Sequence, residues 1–288
     1  MAQTRPSIAD KRRSFQQLHA SGCFVLPNPW DAGSARWLQG LGFKALASTS
    51  AGFAWAMGRP DNGITLAMAL EHLHTMVEAT EVPLNADFEN GFAADAATVA
   101  THVRLAVETG VAGLSIEDST GLAARPLFSI DEAVERMRAA RRAIDGAGGD
   151  TLLVGRAECF LVGRPDLIET IARLKAYADA GADCLYAPGI HTPEQISAVV
   201  QAVAPKPVNL LMSKPGGMTV AQAAALGVRR VSVGGALART AWGGFMRAAQ
   251  QLAEAGSFDG FADAASGQAL NAFFAADGKP GADAAPAG

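Results

Sequence analysis

The sequence predicts a (β/α)₈ barrel of the TIM type, a ring of eight parallel strands each followed by a helix, with an extra helical segment at its C-terminal end. Three observations favour this fold. Eight apolar, strand-like runs alternate with segments of helical period over about 250 residues, the usual size of one such barrel. A short repeat, in which a glycine precedes an apolar strand, recurs at every second strand-like run. No dinucleotide-binding glycine motif is present, which disfavours the alternative, a doubly wound open sheet.

The predicted strands are short and evenly spaced along the chain. They are Cys23–Leu26, Ala45–Ser48, Leu84–Phe88, Gly113–Glu117, Leu152–Gly155, Cys184–Ala187, Val208–Met212 and Arg230–Val233. Helical period marks the segments Ala67–Ala79, Ala96–Glu108, Asp131–Ile144, Asp166–Ala180 and Pro193–Val203. Thr192 before Pro193 is typical of a helix N-cap followed by proline at the first helical position.

The repeat places a glycine shortly before every second strand. Its four glycines are Gly42, Gly110, Gly181 and Gly227, which precede the second, fourth, sixth and eighth strands. Glycine suits the left-handed position that ends a helix. The repeat therefore indicates a barrel built from four similar quarters.

The domain organisation follows from where this alternation stops. We expect one barrel domain over residues 1–255, which closes with a helical stretch, Trp242–Ala255. A helical extension, one helix or a pair, is predicted over residues 256–275. The tail, residues 276–288, is rich in Gly, Ala, Pro and Asp, a composition typical of disorder.

Composition excludes several classes of protein. With 24 Lys+Arg against 28 Asp+Glu the net charge is −4, which argues against a nucleic-acid partner or an anionic membrane surface. No apolar run is long enough to span a membrane, and the first residues lack the apolar stretch of a secretion signal. The cysteines Cys23, Cys159 and Cys184 are far apart, so we expect a reduced, cytoplasmic protein.

Charged side chains end three consecutive predicted strands. Asp87 and Glu89 follow the third strand, Glu117 ends the fourth, and Arg156 and Glu158 follow the fifth. Chemistry in such barrels lies at the C-terminal ends of the strands, so these groups converge on one mouth. Oxygen ligands without His or Cys suit Mg²⁺ or Mn²⁺. An arginine there would bind a substrate carboxylate. The alternative is a set of structural ion pairs.

These stretches carry a resemblance to a known superfamily. The sequence resembles the isocitrate lyase/phosphoenolpyruvate mutase superfamily over residues 15–255. The matching stretches are Asp31–Arg36, Thr49–Gly52, Gly58–Gly63, Pro83–Gly91, Ile116–Asp118 and Gly155–Glu158. The resemblance implies a Mg²⁺-dependent barrel acting on a small carboxylate with a pyruvate-like core. It also implies a homo-oligomer, a dimer or a tetramer, whose subunits exchange a C-terminal helix.

The same resemblance implies roles for individual residues. Asp87, Glu89 and Glu117 would hold the metal, and Asp61 matches an acidic residue near it. Asp61, Glu117 and Arg156 are the candidate catalytic residues. The candidate substrate-binding residues are Arg156, Glu158 and the segment Thr49, Ser50, Ala51 and Gly52, where backbone N–H groups of Ser50 and Ala51 would hold substrate oxygens.

Three further candidates come from position along the chain. Trp30 follows the first strand and would lie over the mouth or pack beneath a loop. His191 lies in the loop after the sixth strand, and Asn209 lies on the seventh. We count all three as candidate substrate-binding residues, because loops and strand ends at this face carry function.

The sequence departs from the superfamily after the fourth strand. Its carbon–carbon lyases carry a Lys-Lys/Arg-Cys-Gly-His loop with cysteine as proton donor, and its mutases carry a longer gating loop; the stretch from Ser119 to Pro126 has neither. We therefore expect a Mg²⁺-dependent lyase or decarboxylase that cleaves a C–C bond in a small 2-oxo or 2-hydroxy carboxylate through a metal-stabilised enolate. The alternatives are a phosphonopyruvate- or phosphoenolpyruvate-type mutase or hydrolase, and a non-catalytic 2-oxo acid binding protein.

Overall fold

Strands and helices alternate as predicted through the barrel region. The computed structural model describes residues 5–276, so the predicted disordered tail lies outside the described residues except for Ala276. The strands are β1 (Phe24–Leu26), β2 (Leu46–Ala47), β3 (Leu84–Asp87), β4 (Gly113–Glu117), β5 (Leu152–Arg156), β6 (Cys184–Tyr186), β7 (Val208–Leu211) and β8 (Arg230–Ser232). All eight predicted strands are present, and no strand end differs from its predicted position by more than one residue.

The helices occupy the connections between these strands. They are α1 (Ile8–Ala20), α2 (Ala32–Gly40), α3 (Ser50–Ala56), α4 (Leu66–Ala79), α5 (Ala96–Glu108), α6 (Ile130–Gly146), α7 (Leu167–Asp179), α8 (Pro193–Val203), α9 (Val220–Ala225), α10 (Ala236–Ala255) and α11 (Gly267–Ala275). Thr192 caps α8 as predicted: its side chain accepts from the N–H of Gln195. The four repeat glycines all have positive φ, the conformation expected where a helix ends.

The strands form one parallel sheet in the order β1-β8-β7-β6-β5-β4-β3-β2. The ring closes between β1 and β2, where the N–H of Ala47 donates to the carbonyl of Pro27 at 3.0 Å. Asn28 supports this closure: its amide donates to the Ser48 carbonyl, and its side-chain oxygen accepts from the N–H groups of Val233 and Gly234. The predicted (β/α)₈ barrel is confirmed.

The N-terminal helix α1 closes the lower end of the barrel, opposite the mouth. Phe15 is fully buried there and packs edge-on against His19 and Phe24. Arg12 donates from Nε to the carbonyl of Val111 at 3.0 Å. The open end of the barrel is therefore the one at the C-terminal ends of the strands.

The chain after β8 is more helical than the sequence indicated. Helix α10 begins at Ala236, directly after Gly235, rather than at Trp242, because the intervening residues are mostly strong helix formers. The extension beyond α10 contains two helical elements, a 3₁₀ turn (Asp259–Phe261) and α11. Phe273 of α11 is buried and packs on Trp37 of α2 in the same chain, with ring centroids 4.6 Å apart.

None of the helices within residues 5–276 is both long enough and apolar enough to cross a bilayer.

Candidate active site

A cavity of about 480 Å³ opens at the C-terminal ends of the strands and reaches into the barrel. This volume is in the range of small-molecule sites. The predicted residues that line it are Asp61, Asp87, Glu89, Glu117, Arg156, Glu158, Thr49, Ser50, Ala51 and Asn209. Five of its lining groups are carboxylates and two are guanidinium groups, so the cavity carries an excess of negative charge.

Arg156, at the end of β5, is the centre of the charged groups. Its Nη1 nitrogen lies 3.1 Å from Asp87 Oδ1 and 3.1 Å from Glu117 Oε2, and its Nε donates to Glu158. Burial lowers the pKa of Arg156, but Glu158, Glu117 and Asp87 together raise it well above its usual value. The register of β3, β4 and β5 brings these side chains together, because Glu117 pairs with Arg156 across neighbouring strands.

Asp87 joins this ion-pair cluster to the segment after β2. Its Oδ2 accepts from the backbone N–H of Ser50 at 3.0 Å and from the Ser50 hydroxyl at 2.9 Å. The N–H of Asp87 donates to the hydroxyl of Ser48 at 2.8 Å. The Ser50 N–H that the resemblance assigns to substrate is thus engaged by Asp87 in this structure.

Glu89 has an unusual environment for a carboxylate. Its φ is 47°, a left-handed conformation uncommon outside glycine, and its Oε1 is buried with no hydrogen-bond partner. Burial raises the pKa of Glu89 to about 8, with Asp87 and Asp61 adding to the rise and Arg156 opposing it. Burial and then Asp87 also raise the pKa of Asp61. Such mutual repulsion marks a place where positive charge would be stabilised.

A buried network under the cavity holds Glu158 in place. Asp118 Oδ1 accepts from the Glu158 N–H at 2.8 Å, while its Oδ2 accepts from the Tyr177 hydroxyl and from Arg173 Nη1, the latter at 3.1 Å. Asp118, Arg173 and Tyr177 are all at most 4% exposed. The network links the ends of β4 and β5 to α7.

The three predicted metal ligands, Asp87, Glu89 and Glu117, line the same cavity. Within residues 5–276, however, no three His, Cys, Asp or Glu side chains are already gathered in the manner of a closed metal cage. Arg156 stands between Asp87 and Glu117. Mg²⁺ keeps several waters and needs only one or two carboxylates from the protein, so an open arrangement suits it better than a cage.

Three predicted substrate-binding residues are not among those that line the cavity. Gly52 is buried, and a Cβ there would meet Thr49 Cγ2 at 2.6 Å and Trp30 Cβ at 3.1 Å, so its role is close packing. Trp30 faces a separate depression with Phe53 and His72, on the outside of α3. Of the two predicted placements, over the mouth or beneath a loop, the first does not fit, because Trp30 is not among the residues that line the cavity.

His191 also lies away from the cavity. It is exposed, its Nδ1 lies 3.1 Å from the carbonyl of Gly189, and its N–H donates to Gln195. These bonds belong to the turn that starts α8. The loop after β6 runs outward at this point, which separates its histidine from the mouth.

The stretch after β4, residues 119–129, forms a short hairpin, the 119–129 hairpin. Ser119 and Leu127 form an antiparallel bridge, and the N–H of Thr120 donates to the carbonyl of Pro126 at 3.0 Å. Of the residues of this hairpin, all of which the structure describes, only Ser119 lines the cavity. The hairpin brings no thiol or imidazole to the mouth.

Several polar cavity residues were missed by the sequence reading. They are Asn28, Asn62, Asn85, Ser115, Ser119, Tyr186, Arg230 and Ser232. Asn85, Ser115 and Ser232 lie two residues before or after another inward-facing position of their strand, and that alternation was a usable signal. Tyr186 and Arg230 resemble ordinary strand residues in sequence, since aromatic residues and occasional long side chains are common in strands.

Comparison with known proteins agrees with this geometry. The family model described as phosphoenolpyruvate phosphomutase matches residues 15–253. The chain belongs to the phosphoenolpyruvate phosphomutase family. It is thereby an enzyme of the phosphoenolpyruvate mutase/isocitrate lyase superfamily, as its motifs indicated.

Individual members of this superfamily resemble the chain over most of its length. A Burkholderia cenocepacia protein described as a lyase/mutase is 48% identical, with a TM-score of 0.92 over 95% of this chain and 99% of that one. A 2,3-dimethylmalate lyase is 27% identical, with a TM-score of 0.82 over 95% and 96% of the two chains. An oxaloacetate decarboxylase from Paraburkholderia xenovorans is 32% identical over 202 residues, 67% of this chain and 66% of that one.

Proposed function

We propose that this enzyme cleaves a carbon–carbon bond in a small 2-oxo or 2-hydroxy carboxylate with the help of Mg²⁺, and that decarboxylation of oxaloacetate or a 3-substituted oxaloacetate is its reaction. The observation that carries the proposal is the position of Arg156. It lies among Asp87, Glu117 and Glu158 in a cavity that also holds Asp61 and Glu89. The family and its named lyases support the reaction class.

Arg156 would bind a substrate carboxylate. Its Nε and Nη1 nitrogens are engaged by the three carboxylates, whereas its Nη2 makes no ion pair or hydrogen bond to residues 5–276. Since a guanidinium group presents donors in a fixed fork, the three carboxylates hold Arg156 in one orientation. Its remaining nitrogen then points a donor at the substrate.

The residues of the cavity fit a Mg²⁺ ion, and Mn²⁺ would fit the same oxygen donors. The unpartnered Glu89 oxygen and the mutual repulsion of Glu89, Asp87 and Asp61 favour a cation. Asp87, Glu89 and Glu117 would hold it, directly or through water, with Asp61 nearby. When bound, such an ion would supply positive charge to the oxygens of the substrate, where negative charge develops as the C–C bond breaks.

The surrounding residues define the shape and polarity of the site. The segment Thr49, Ser50 and Ala51 forms one wall, and Leu161 and Val162 form part of another. Glu158 acts on Arg156 through their ion pair, and Asn209 is fully buried at the cavity floor. Because the 119–129 hairpin brings no cysteine, we favour decarboxylation, in which the products need no dedicated acid on that loop.

The proposal is tested with purified enzyme, MgCl₂ and oxaloacetate, followed by ¹H NMR, with 2-methylisocitrate-type acids tested in parallel. We expect the natural enzyme to form pyruvate at least 100-fold faster than the Asp87→Ala variant does. Both are measured at the same Mg²⁺ concentration, so that decarboxylation by free metal contributes equally to the two rates. The removal of divalent metal with EDTA is expected to stop the reaction. No turnover of any 2-oxo or 2-hydroxy acid would contradict the proposal.

A phosphonomutase reaction is the second candidate, because the matching family is described by that activity. It would require the short 119–129 hairpin to close over a phosphoryl group. A ³¹P NMR assay with phosphonopyruvate distinguishes the two reactions, since only the mutase or hydrolase changes the phosphorus signal. If the protein only binds a 2-oxo acid, the natural protein shows no turnover, and Asp87→Ala then makes no difference to the rate.

We also propose that the enzyme is a homo-oligomer, a dimer or a tetramer. Large apolar side chains are exposed along α10 and just after it, namely Trp242, Phe245, Met246, Leu252, Phe258 and Phe261. Contiguous apolar patches of this kind mark protein–protein contacts. Exchange of the C-terminal helix between subunits stays a prediction, since in the single chain α11 packs on its own α2.

Other partner and location assignments rest on composition. The net charge of −4 argues against nucleic acid or anionic lipid as a partner, so we propose a small carboxylate and a second copy of the chain as the partners. The three cysteines are unpaired in the structure, which fits the proposed reducing cytoplasm.

A further inference from the structure

We infer that Tyr186 is the proton donor that completes the reaction, in place of the cysteine that related lyases carry on the loop after β4. This inference rests on the proposed function. Tyr186 ends β6, is 8% exposed and lines the cavity. It stands opposite Arg156 in the β5–β6 register, and the Arg156 guanidinium carbon lies 5.3 Å from its ring centroid.

A directed chain of hydrogen bonds joins three buried residues of β7 and β8 that line the cavity together with Tyr186. It begins at Arg230, whose Nε donates to Asn209 Oδ1 at 2.8 Å. A guanidinium group only donates, so the oxygen of the Asn209 amide must face it. The amide nitrogen of Asn209 therefore faces Ser232 and donates to its hydroxyl oxygen at 2.9 Å.

The chain leaves the Ser232 hydroxyl with a hydrogen of its own. Its oxygen accepts from Asn209, and the Ser232 hydroxyl acts to lower the pKa of Tyr186. The Tyr186 hydroxyl donates to no group within residues 5–276, so its hydrogen is available to a substrate in the cavity. Arg230, Asn209 and Ser232 are each at most 5% exposed, so water does not compete for these bonds.

The electrostatic setting suits a donor that is neutral at rest. Burial raises the pKa of Tyr186 to about 12; Arg156 and the Ser232 hydroxyl oppose the rise, whereas Glu158 and Asp87 add to it. The group is therefore protonated at neutral pH, while Arg156 and Ser232 stabilise the tyrosinate for the time that it exists. Cys159 and Cys184 are buried and are not among the cavity-lining residues of the described chain.

The proposed proton transfer follows bond cleavage. Cleavage of the C3–C4 bond releases CO₂ and leaves its electron pair on the enolate of the 2-oxo acid. Carbon C3 then takes the hydroxyl hydrogen of Tyr186, so that a C–H bond forms and the O–H electron pair stays on the tyrosine oxygen. The tyrosinate takes a proton from solvent water, and the cycle consumes one proton in all.

The experiment uses the Mg²⁺-loaded enzyme with 3-methyloxaloacetate in D₂O. The product 2-oxobutanoate is reduced as it forms, and NMR reports on which face of C3 the deuterium lies. We expect labelling of one face with the natural enzyme. Tyr186→Phe is expected to lower kcat about 100-fold, the range of general acid catalysis, and to give both labelled forms equally, because the enol is then protonated in solution.

Matched variants separate this role from a structural one. Thr101→Val, which removes a hydroxyl on the exposed surface of α5 outside the cavity, is expected to keep one-sided labelling. Ser232→Ala removes the hydroxyl that lowers the pKa of Tyr186; it is expected to lower kcat less than Tyr186→Phe does and to keep one-sided labelling, because Tyr186 is still in place. One-sided labelling by Tyr186→Phe with unchanged kcat would overturn the assignment, as would equal loss of selectivity in Thr101→Val. If the natural enzyme itself fails to turn over the substrate, the proposed function is what fails.

Discussion

The Nη1 nitrogen of Arg156 lies 3.1 Å from Oδ1 of Asp87, although the two residues are 69 positions apart in the chain. Both side chains are less than one-fifth exposed. The contact ties the end of β5 to the end of β3 across the cavity. Because the same Nη1 nitrogen also lies 3.1 Å from Glu117 Oε2, Arg156 joins two of the three carboxylates proposed to hold a metal.

Replacement of Arg156 by lysine keeps the charge but removes the planar fork. Arg156→Lys is expected to lower kcat/KM for the active substrate by about 100-fold, because disturbing one partner of a buried, hydrogen-bonded charge pair costs about 2–5 kcal/mol. Arg104→Lys is the control, since Arg104 pairs with Glu108 on the exposed surface of α5. Steady-state kinetics on both variants check this, and equal activity of the two would contradict it.

The network around Asp118 is expected to dominate the stability of this side of the barrel. Asp118→Asn removes the charge that faces Arg173 and Tyr177, and we expect a loss of about 3 kcal/mol in the free energy of unfolding, as for other broken buried pairs. Chemical denaturation followed by circular dichroism measures it. Asp131→Asn, at an exposed position of α6, serves as the control. Matching midpoints for the two variants would show that the network contributes little.

His19 gives the protein a specific sensitivity to acid. Its Nδ1 lies 2.8 Å from the Phe15 carbonyl and its Nε2 lies 3.3 Å from Arg230 Nη1, so the neutral ring satisfies both partners by donating to one and accepting from the other. Burial, followed by the charge of Arg230, lowers the pKa of His19 to about 3, whereas the hydrogen bond to Phe15 opposes the shift.

Because the unfolded chain takes up this proton near pH 6.5 and the folded chain does not, the folded state loses stability as the pH falls from about 6.5 toward 3. The slope from this group is at most about 1.4 kcal/mol per pH unit, and its full stabilisation is present above pH 6.5. His19→Gln is expected to flatten the profile in this window. Denaturation midpoints across the pH range, with the exposed His74→Gln as control, measure the effect. An unchanged slope in His19→Gln would rule out this role.

The exposed apolar side chains after β8 predict a change of oligomeric state on mutation. Phe245 and Phe258 are 62% and 67% exposed in the single chain. The double variant Phe245→Glu, Phe258→Glu is expected to shift the mass measured by light scattering from that of the oligomer to that of one chain. Leu122→Glu, on the 119–129 hairpin and 61% exposed, should leave the mass unaltered. A natural protein that elutes as a single chain would refute the proposal.

The sequence by itself determined the barrel and the end of it that carries chemistry. Eight apolar runs at even spacing, alternating with helical segments and without a dinucleotide-binding glycine motif, favour a closed parallel sheet over an open one, and charges that follow three consecutive runs are then expected to share one mouth. That is why Asp87, Glu117 and Arg156 could be named together before any contact was known. The shortness of the 119–129 hairpin was equally visible, because loop length and the missing cysteine are properties of the chain alone.

Only the tertiary structure decided which of these groups meet and which side chains lie beneath them. Sequence spacing does not show that Ser50 engages Asp87, or that His191 lies outside the mouth, since both depend on the direction in which a loop leaves its strand. Tyr186 and Arg230 were not singled out, because the contact of Arg230 with Asn209 and the contact of Tyr186 with Arg156 each join side chains on different strands. Contacts between strands are set by the register and twist of the closed sheet, which no local pattern records.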